Sequence, residues 1–88
     1  MFNLVISPKA SKDLDKLNDK DCEIVVIAMK ILEENPFPKG KLIKKIKGMN
    51  TDLYRFRVDK IRVFFIVEKH DVIILRVLGK KDVNKFLR

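Results

Sequence analysis

Three arginines lie in the two most regularly alternating segments of the chain, residues 53–58 and 61–67. This alternation predicts two β-strands, in which successive side chains point to opposite faces of a sheet. Arg55 and Arg57 therefore share one face of the first strand, and its aromatic residues and last valine share the other. Arg62 shares a face of the second strand with apolar residues. We expect any chemistry of this protein to start from these three guanidinium groups.

The dipeptide Asp59-Lys60 between the two strands predicts a hairpin turn that puts Arg57 and Arg62 near one another. Like charges opposed across strands destabilise a sheet, unless the guanidinium groups face water or receive an anion. Arginine offers five N–H donors in a planar fork that suits the oxygens of a phosphate. The arginines are thus a candidate phosphodiester site. The residues alone leave open an ordinary exposed face on which arginine merely suits a strand.

Positive charge is concentrated in the middle of the chain. The protein has 88 residues and a net charge of +8, and residues 39–62 hold nine basic residues against two acidic ones. Such a block attracts polyanions, because each neutralised phosphate releases a counterion, although a solvated lysine-rich face has the same composition. Candidate RNA-binding cations in and beyond this block are Lys41, Lys44, Lys45, Lys47 and Arg76. Arg76 equally suits a place at the edge of the core, and Lys80 and Lys81 follow the last predicted strand.

Other catalytic groups are scarce in the sequence. The only histidine, His70, falls in a predicted turn, and the serines lie where helix capping explains them. The single cysteine, Cys22, makes no internal disulfide and is interpreted as a semi-buried filler. The only tyrosine, Tyr54, falls on the apolar stripe and suits the core. We therefore expect no metal, no cofactor, no serine triad and no catalytic carboxylate pair.

Capping residues and periodicity predict the first elements. Residues 2–6 predict a strand, Ser7-Pro8 begins a first helix, and Asn18 caps a second helix that ends at Asn35-Pro36. The predicted buried stripes are Ala10, Leu14 and Leu17 in the first helix and Ile24, Ile27, Ala28, Ile31 and Leu32 in the second.

The rest of the chain predicts a meander. Residues 36–48 form a basic connection, a turn at His70-Asp71 precedes a third strand over residues 72–78, and residues 80–88 form a short helical tail. The predicted fold is one α+β domain: an N-terminal strand, a two-helix hairpin, a three-stranded antiparallel meander and the tail, with four strands in the sheet. The first strand joins the sheet edge after the helical crossover.

The ordered series KIKGMNTDLYRFRV (residues 45–58), IRVFFIV (residues 61–67) and VIILRVLGKKDV (residues 72–83) resembles the RelE/ParE superfamily of toxins from toxin–antitoxin pairs. That family has a Lys-Leu-x-Gly lead-in, a strand bearing basic residues and a Tyr-Arg-Val/Leu strand. A Val-Ile-Leu-Arg-Val strand then runs into His-Arg-Lys-Asp-Val-Tyr. The resemblance covers essentially the whole chain, including the helical hairpin.

The resemblance implies an endoribonuclease that cleaves messenger RNA in the ribosomal A site without metal, by attack of the RNA's own 2′-OH on the scissile phosphate. Arg55 and Arg57 match the family's paired basic residues, and Arg62 matches the arginine that holds the scissile phosphate. Lys80 and Lys81 match the terminal basic pair. We assign these five residues a catalytic role, since cations placed where phosphate charge develops stabilise the transition state.

The C-terminal segment departs from the family pattern. Gly79 and Asn84 stand where the family has its histidine and the tyrosine often assigned acid–base work. Asparagine can orient a 2′-OH but exchanges no proton near neutral pH, and Phe86 can stack a base without supplying a hydroxyl. We assign Asn84 and Phe86 to RNA binding. Two alternatives stay open: a ParE-like inhibitor of DNA gyrase, and a catalytically weak nucleic-acid-binding relative.

The resemblance also implies a cognate acidic, RelB-like antitoxin, and binding of operator DNA only as the toxin–antitoxin complex. We expect the antitoxin to cover Arg55, Arg57 and Arg62, or to displace the tail, because an acidic partner neutralises the basic surface. No apolar run approaches the ~20 residues that span a bilayer, and signal-peptide features are absent. We expect a cytoplasmic protein without a membrane partner.

Overall fold

The computed structural model describes residues 1–48 and 51–87. In chain order its elements are β1 (Asn3–Ile6), α1 (Pro8–Lys16), α2 (Asp19–Glu34), β2 (Ile43–Ile46), β3 (Leu53–Val58), β4 (Ile61–Glu68), β5 (Asp71–Gly79), a 3₁₀ turn (Lys80–Asp82) and α3 (Val83–Leu87). The predicted α+β class, with a strand, a helical hairpin, a meander and a helical tail, is confirmed. The described strands form one sheet in the order β1-β5-β4-β3-β2.

The sheet has five strands in the described residues, where the sequence predicts four. The additional strand, β2, lies within residues 36–48 and pairs antiparallel with β3, with Lys44 opposite Arg55. The side chain of Ile43, the first residue of this strand, is buried in the core, and the two lysines at the strand's centre are exposed. A four-residue edge strand with exposed lysines has too little apolar alternation to be predicted from its pattern.

The start of the chain is arranged as predicted. β1 lies at the sheet edge and pairs in parallel with β5, but only as far as Ile6 opposite Ile74. The Ser7 hydroxyl then accepts a hydrogen bond from the Ala10 N–H at 3.1 Å, which caps α1. Because β1 stops at Ile6, the later part of the β5 edge is left for α1 to cover.

The main core lies between the two long helices and one face of the sheet. Ala10 is fully buried in α1, and Leu14 and Leu17 pack against the same core, as predicted. Under the helices the sheet contributes its aromatic stripe, in which Tyr54 stacks on Phe65 with ring centroids 5.4 Å apart. This confirms the interpretation of Tyr54 as a core residue.

The buried face of α2 differs from the prediction. Its buried residues are Val25, Met29 and Leu32, whereas Ile24, Ile27 and Ile31 are exposed and Ala28 is half-buried. Only Leu32 of the predicted stripe is fully buried. Almost every residue between positions 24 and 32 is apolar, so two stripes at helical spacing compete and periodicity cannot choose between them. No helix among the described residues has the length and apolar character needed to cross a bilayer.

A second apolar cluster lies on the opposite face of the sheet. Leu53, Phe64 and Leu78 are buried there, beneath partly buried residues that include Val83, Phe86 and Leu87 of α3. β4 is therefore covered on both faces, which explains its almost continuous apolar sequence. The short C-terminal helix is the only helix that covers this second cluster within the described part of the chain.

Both hairpin turns hold a non-glycine residue in the left-handed region. The β3–β4 turn lies at Asp59-Lys60, as predicted, and Asp59 has φ 53°. The β4–β5 turn lies at Lys69-His70, one residue earlier than predicted, and Lys69 has φ 55°. This conformation costs an L-residue roughly 1–2 kcal/mol, and lysine has no short polar group to compensate locally.

Lys69→Gly is therefore expected to raise the free energy of unfolding by about 0.5–1 kcal/mol, because glycine adopts a positive φ without a steric cost. Urea unfolding followed by circular dichroism measures it. Lys60→Gly is the matched control, since Lys60 occupies the corresponding turn with an ordinary φ, and it should bring no gain. An equal gain in both variants would contradict the assignment of strain to Lys69.

Candidate functional site

Arg57 and Arg62 stand directly opposite each other in the β3–β4 hairpin. They lie on the sheet face turned away from α1 and α2, and Arg55 lies on the same face two residues before Arg57. We call this surface the arginine face. No carboxylate in residues 1–48 or 51–87 forms an ion pair with any of the three guanidinium groups. The arrangement gathers positive charge without neutralising it.

Arg62 is held in place by the backbone of its own hairpin. Its side chain is only 9% exposed, and Nη1 donates hydrogen bonds to the carbonyl oxygens of Asp59 at 2.8 Å and Ile61 at 3.1 Å. Burial lowers the pKa of Arg62, the charges of Arg57 and Arg55 lower it further, and Asp59 opposes them. A bound anion would offset the burial and the repulsion between the arginines, which keeps Arg62 a candidate for anion binding.

Arg55 carries a buried donor that lacks a partner. Its Nε atom is inaccessible to solvent and makes no hydrogen bond to the described residues. Across the sheet, Arg55 lies between Lys44 on β2 and Phe64 on β4. An unsatisfied buried donor costs free energy, and such groups are rare in folded proteins.

An apolar cluster lies on the same face of the sheet as the arginines. The Phe64 and Phe86 rings pack with centroids 4.8 Å apart, so α3 forms a wall beside the arginine face. Low-polarity surroundings strengthen the interaction between a cation and a phosphate compared with the same pair in water. The buried part of the face is therefore suited to bind negative charge.

Lys80 and Lys81 lie in the 3₁₀ turn between β5 and α3, and both are exposed. The Lys80 N–H donates to the carbonyl oxygen of Lys60 at 3.2 Å, which fixes this turn beside the end of the β3–β4 hairpin. The predicted neighbourhood of these lysines and the arginine pair is thus present. Asn84 follows on α3 and is exposed as well.

The lysines of the basic connection divide between different surfaces. Lys44 lies on the arginine face, since it pairs with Arg55. Lys45 pairs with Tyr54 on the helical side and forms an ion pair with Asp52 at 3.1 Å. Lys41 and Lys47 occupy the exposed turns before and after β2. Lys44 is the member of this group that extends the candidate site directly.

Arg76 is committed to an internal ion pair. Its Nε and a terminal nitrogen donate to the carboxylate of Asp13 on α1 at 2.8 Å and 3.1 Å. The hydrogen bond to Asp13 raises the pKa of Arg76 despite partial burial. Of its two sequence-based interpretations, this geometry matches the place at the edge of the core. Sequence reasoning missed Asp13, although an acidic residue on the stripe of Ala10 and Leu17 is a signal for a buried partner.

The family of the chain is given by comparison with known proteins. The family model described as ParE toxin of type II toxin-antitoxin system, parDE, matches residues 4–83. The chain belongs to this toxin family. A curated protein of Methanocaldococcus jannaschii named "Putative toxin RelE1" is 34% identical over 83 residues, which are 92% of this chain and 91% of that protein.

Solved structures agree with the RelE/ParE assignment. The archaeal RelE–RelB complex from Pyrococcus horikoshii contains a chain with a TM-score of 0.75 and 26% identity, over 90% of this chain and 94% of that one. The RelB–RelE antitoxin–toxin complex from Methanococcus jannaschii matches with a TM-score of 0.75 and 25% identity, over 96% and 99% of the two chains. The protein is a RelE/ParE superfamily toxin, as the resemblance implies.

The fold of this RelE/ParE toxin also shows where the other residues considered for a functional role lie. His70 is exposed in the β4–β5 turn, and Cys22 is a half-buried free thiol. Phe86 packs on Phe64, so one side of its ring is already occupied. No group of three or more potential metal ligands occurs among the described residues.

Arg57→Gln is expected to raise the free energy of unfolding by about 0.2–1 kcal/mol, because it removes a like charge directly opposite Arg62. The gain should shrink at 1 M salt, where charges are screened within about 3 Å. Urea unfolding at two salt concentrations measures it. Lys30→Gln, which removes one charge from the distant α2, should show no such gain. A loss of stability in Arg57→Gln would mean that the pair is not repulsive.

The Asp13 carboxylate predicts a pH dependence of stability. Burial raises its pKa, but hydrogen bonds from Arg76 and the Val77 N–H, with the nearby positive charges, bring it below the ordinary value of 3.8. A depressed folded-state pKa contributes stability above pH 3.8 that is lost as the pH falls through the lower, folded-state value.

We expect Asp13→Asn to cost on the order of 2 kcal/mol at neutral pH and to flatten this acid dependence. Urea unfolding between pH 2 and pH 7 tests both effects. Asp15→Asn, on the exposed side of the same helix, is the control. An unchanged acid dependence in Asp13→Asn would contradict the assignment.

Proposed function

We propose that this toxin is a ribosome-dependent, metal-independent endoribonuclease that cleaves messenger RNA in the ribosomal A site. The observation that carries the proposal is the cluster of Arg55, Arg57 and Arg62, which has no carboxylate partner among the described residues. The relatives that bear the name RelE support the RelE-type activity that the resemblance implies.

In the proposed reaction the 2′-oxygen of the nucleotide before the cleaved bond attacks the adjacent phosphorus. The bond from the 2′-oxygen to phosphorus forms while the bond from phosphorus to the 5′-oxygen breaks, which leaves a 2′,3′-cyclic phosphate and a 5′-hydroxyl. The proton of the 2′-OH is lost, and one proton reaches the leaving oxygen. Negative charge builds on the non-bridging oxygens, where Arg62, Arg55 and Arg57 stabilise it by charge-assisted hydrogen bonds.

The proposal assigns catalysis mainly to charge stabilisation. Lys80 and Lys81 neutralise the RNA backbone beside the arginine pair, and Lys44 extends the positive surface toward β2. Asn84 occupies the position of the family's tyrosine, and its amide supplies hydrogen bonds but no titratable proton. We therefore expect slow cleavage that Asn84→Tyr accelerates.

We also propose an acidic, RelB-like antitoxin as the partner. Two of the matching solved structures are complexes of a RelE protein with RelB, and the +8 net charge favours an acidic chain. Such a partner would cover the arginine face or displace α3, and operator DNA would be bound only by the complex. The proposed place of action is the cytoplasm, where translation occurs.

Mapping transcript ends in a translating extract tests the proposed activity. The wild-type protein should produce cuts at ribosome-occupied codons, and Arg62→Ala should lower their rate about 100- to 1,000-fold, the usual effect of removing one electrostatic stabiliser. Arg62→Lys keeps the charge but loses the planar fork, so its rate should be intermediate. Lys30→Ala removes the same charge from the other side of the molecule and should cut like the wild type.

The match to the ParE toxin family supports a second candidate, an inhibitor of DNA gyrase. Gyrase–DNA cleavage complexes with intact transcripts would favour that candidate and contradict the nuclease. Toxicity in neither assay would favour a nucleic-acid-binding relative without catalysis. Equal cutting by the wild type and Arg62→Ala would contradict the role of the arginine face.

A further inference from the structure

Asp13 is a buried carboxylate that touches no part of the arginine face. Its side chain is 7% exposed and accepts three hydrogen bonds, two from Arg76 and one from the Val77 N–H at 2.9 Å. β1 pairs with β5 only as far as Ile74, so the Val77 N–H lies on a part of the edge that no strand covers. Asp13 thereby joins α1 to the open edge of β5.

A bulge in β5 brings Arg76 to this position. Phe64 pairs with Arg76 and Phe65 pairs with Ile74, which leaves Leu75 without a partner on β4. A bulge changes the direction of the side chains around it. Arg76 pairs with Phe64, which lies on the same side of the sheet as the arginine face. From this position its side chain reaches α1 and forms the ion pair with Asp13.

The other side of the Arg76 guanidinium faces α3. Its central carbon lies 5.9 Å from the centroid of the Phe86 ring, within the range of a cation–π interaction. The same ring packs on Phe64 at 4.8 Å. Asp13, Arg76 and Phe86 therefore form a continuous chain of contacts from α1 to the C-terminal helix.

Cavities lie on both sides of the contact between Arg76 and Phe86, which makes this contact important for the position of α3. A cavity of about 520 Å³ between α1 and α3 is lined by Lys16, Arg76 and Phe86 among others. A second cavity of about 560 Å³, on the side of Ser7 and Leu75, is lined by the same Arg76 and Phe86. A five-residue helix has no stability of its own, so its position depends on the few contacts that dock it.

We propose that Asp13 is a positioning residue that, through Arg76 and Phe86, holds α3 against the sheet beside the arginine face. Asp13 fixes the orientation of the Arg76 guanidinium, and this guanidinium fixes the position of the Phe86 ring. The docked helix in turn places Asn84, which lies on α3. Arg76 is thereby a structural cation rather than an RNA ligand. The consequence for catalysis rests on the proposed function, but the docking of α3 does not.

Nuclear magnetic resonance of the whole chain tests the docking directly. In the wild type we expect nuclear Overhauser effects between the Phe64 and Phe86 rings and a slowly exchanging Arg76 Nε–H. Asp13→Asn keeps the shape and an acceptor for Val77, and Arg76→Ala leaves Asp13 bonded to Val77. Each should increase the undocked population of α3 about fivefold, the upper range for an exposed cation–π contact. Asp15→Asn, on the exposed side of α1, should match the wild type.

Weaker ring–ring effects in both variants, with the resonances of the main core unchanged, are the expected result. Effects of wild-type strength in both variants would overturn the proposal. Weaker effects in Arg76→Ala alone would show that Arg76 needs no help from Asp13. Weaker effects in Asp13→Asn alone would show that Asp13 acts by another route. Either of these results also overturns it.

A double-mutant cycle tests the consequence for activity. Asn84→Ala should slow cleavage by a smaller factor in Asp13→Asn than in the wild type, since undocking of α3 already misplaces Asn84. Equal slowing in both backgrounds would overturn the link to catalysis. If no variant cleaves RNA while the ring–ring effects change as expected, the proposed function fails and the positioning role of Asp13 stands.

Discussion

The register of the β3–β4 hairpin is the constraint on which the candidate site depends. It sets Arg57 directly opposite Arg62, and a shift of β3 by one residue would carry Arg55 and Arg57 to the helical face. The buried stripe of Phe56, Val63 and their neighbours prevents that shift, because the shift would expose fully buried aromatic and aliphatic side chains. The core therefore enforces an arrangement of charges that is locally unfavourable.

The two faces of the sheet differ in what covers them. One is covered by α1 and α2 and provides the stability of the domain, while the other carries cations and only a short helix. Arg62 is held by two backbone carbonyl oxygens, and no carboxylate among the described residues forms an ion pair with it. Such preorganisation reduces the rearrangement needed when charge develops on a phosphate.

Local patterns predicted the parts of the fold that local interactions determine. Caps at Ser7 and Asn18, the Asp59-Lys60 turn and the alternation of β3 follow from neighbouring residues and are confirmed. The Asp13–Arg76 pair joins residues 63 positions apart across a bulge, and no local pattern specifies it. The predicted buried face of α2 was wrong because almost every residue of that helix between positions 24 and 32 is apolar. The grouping of the three arginines was predictable because they lie within one hairpin, whereas the contact between α1 and Arg76 was not.

The chemical ends of the RNA fragments test the central claim, that the arginine face stabilises attack by the RNA's own 2′-OH. Messenger RNA on ribosomes is incubated with the protein, and the ends on either side of each cut are identified. Attack by the 2′-oxygen should leave a 2′,3′-cyclic phosphate on the upstream fragment and a 5′-hydroxyl on the downstream fragment. A 3′-hydroxyl with a 5′-phosphate would show that water is the nucleophile and would contradict the proposed mechanism.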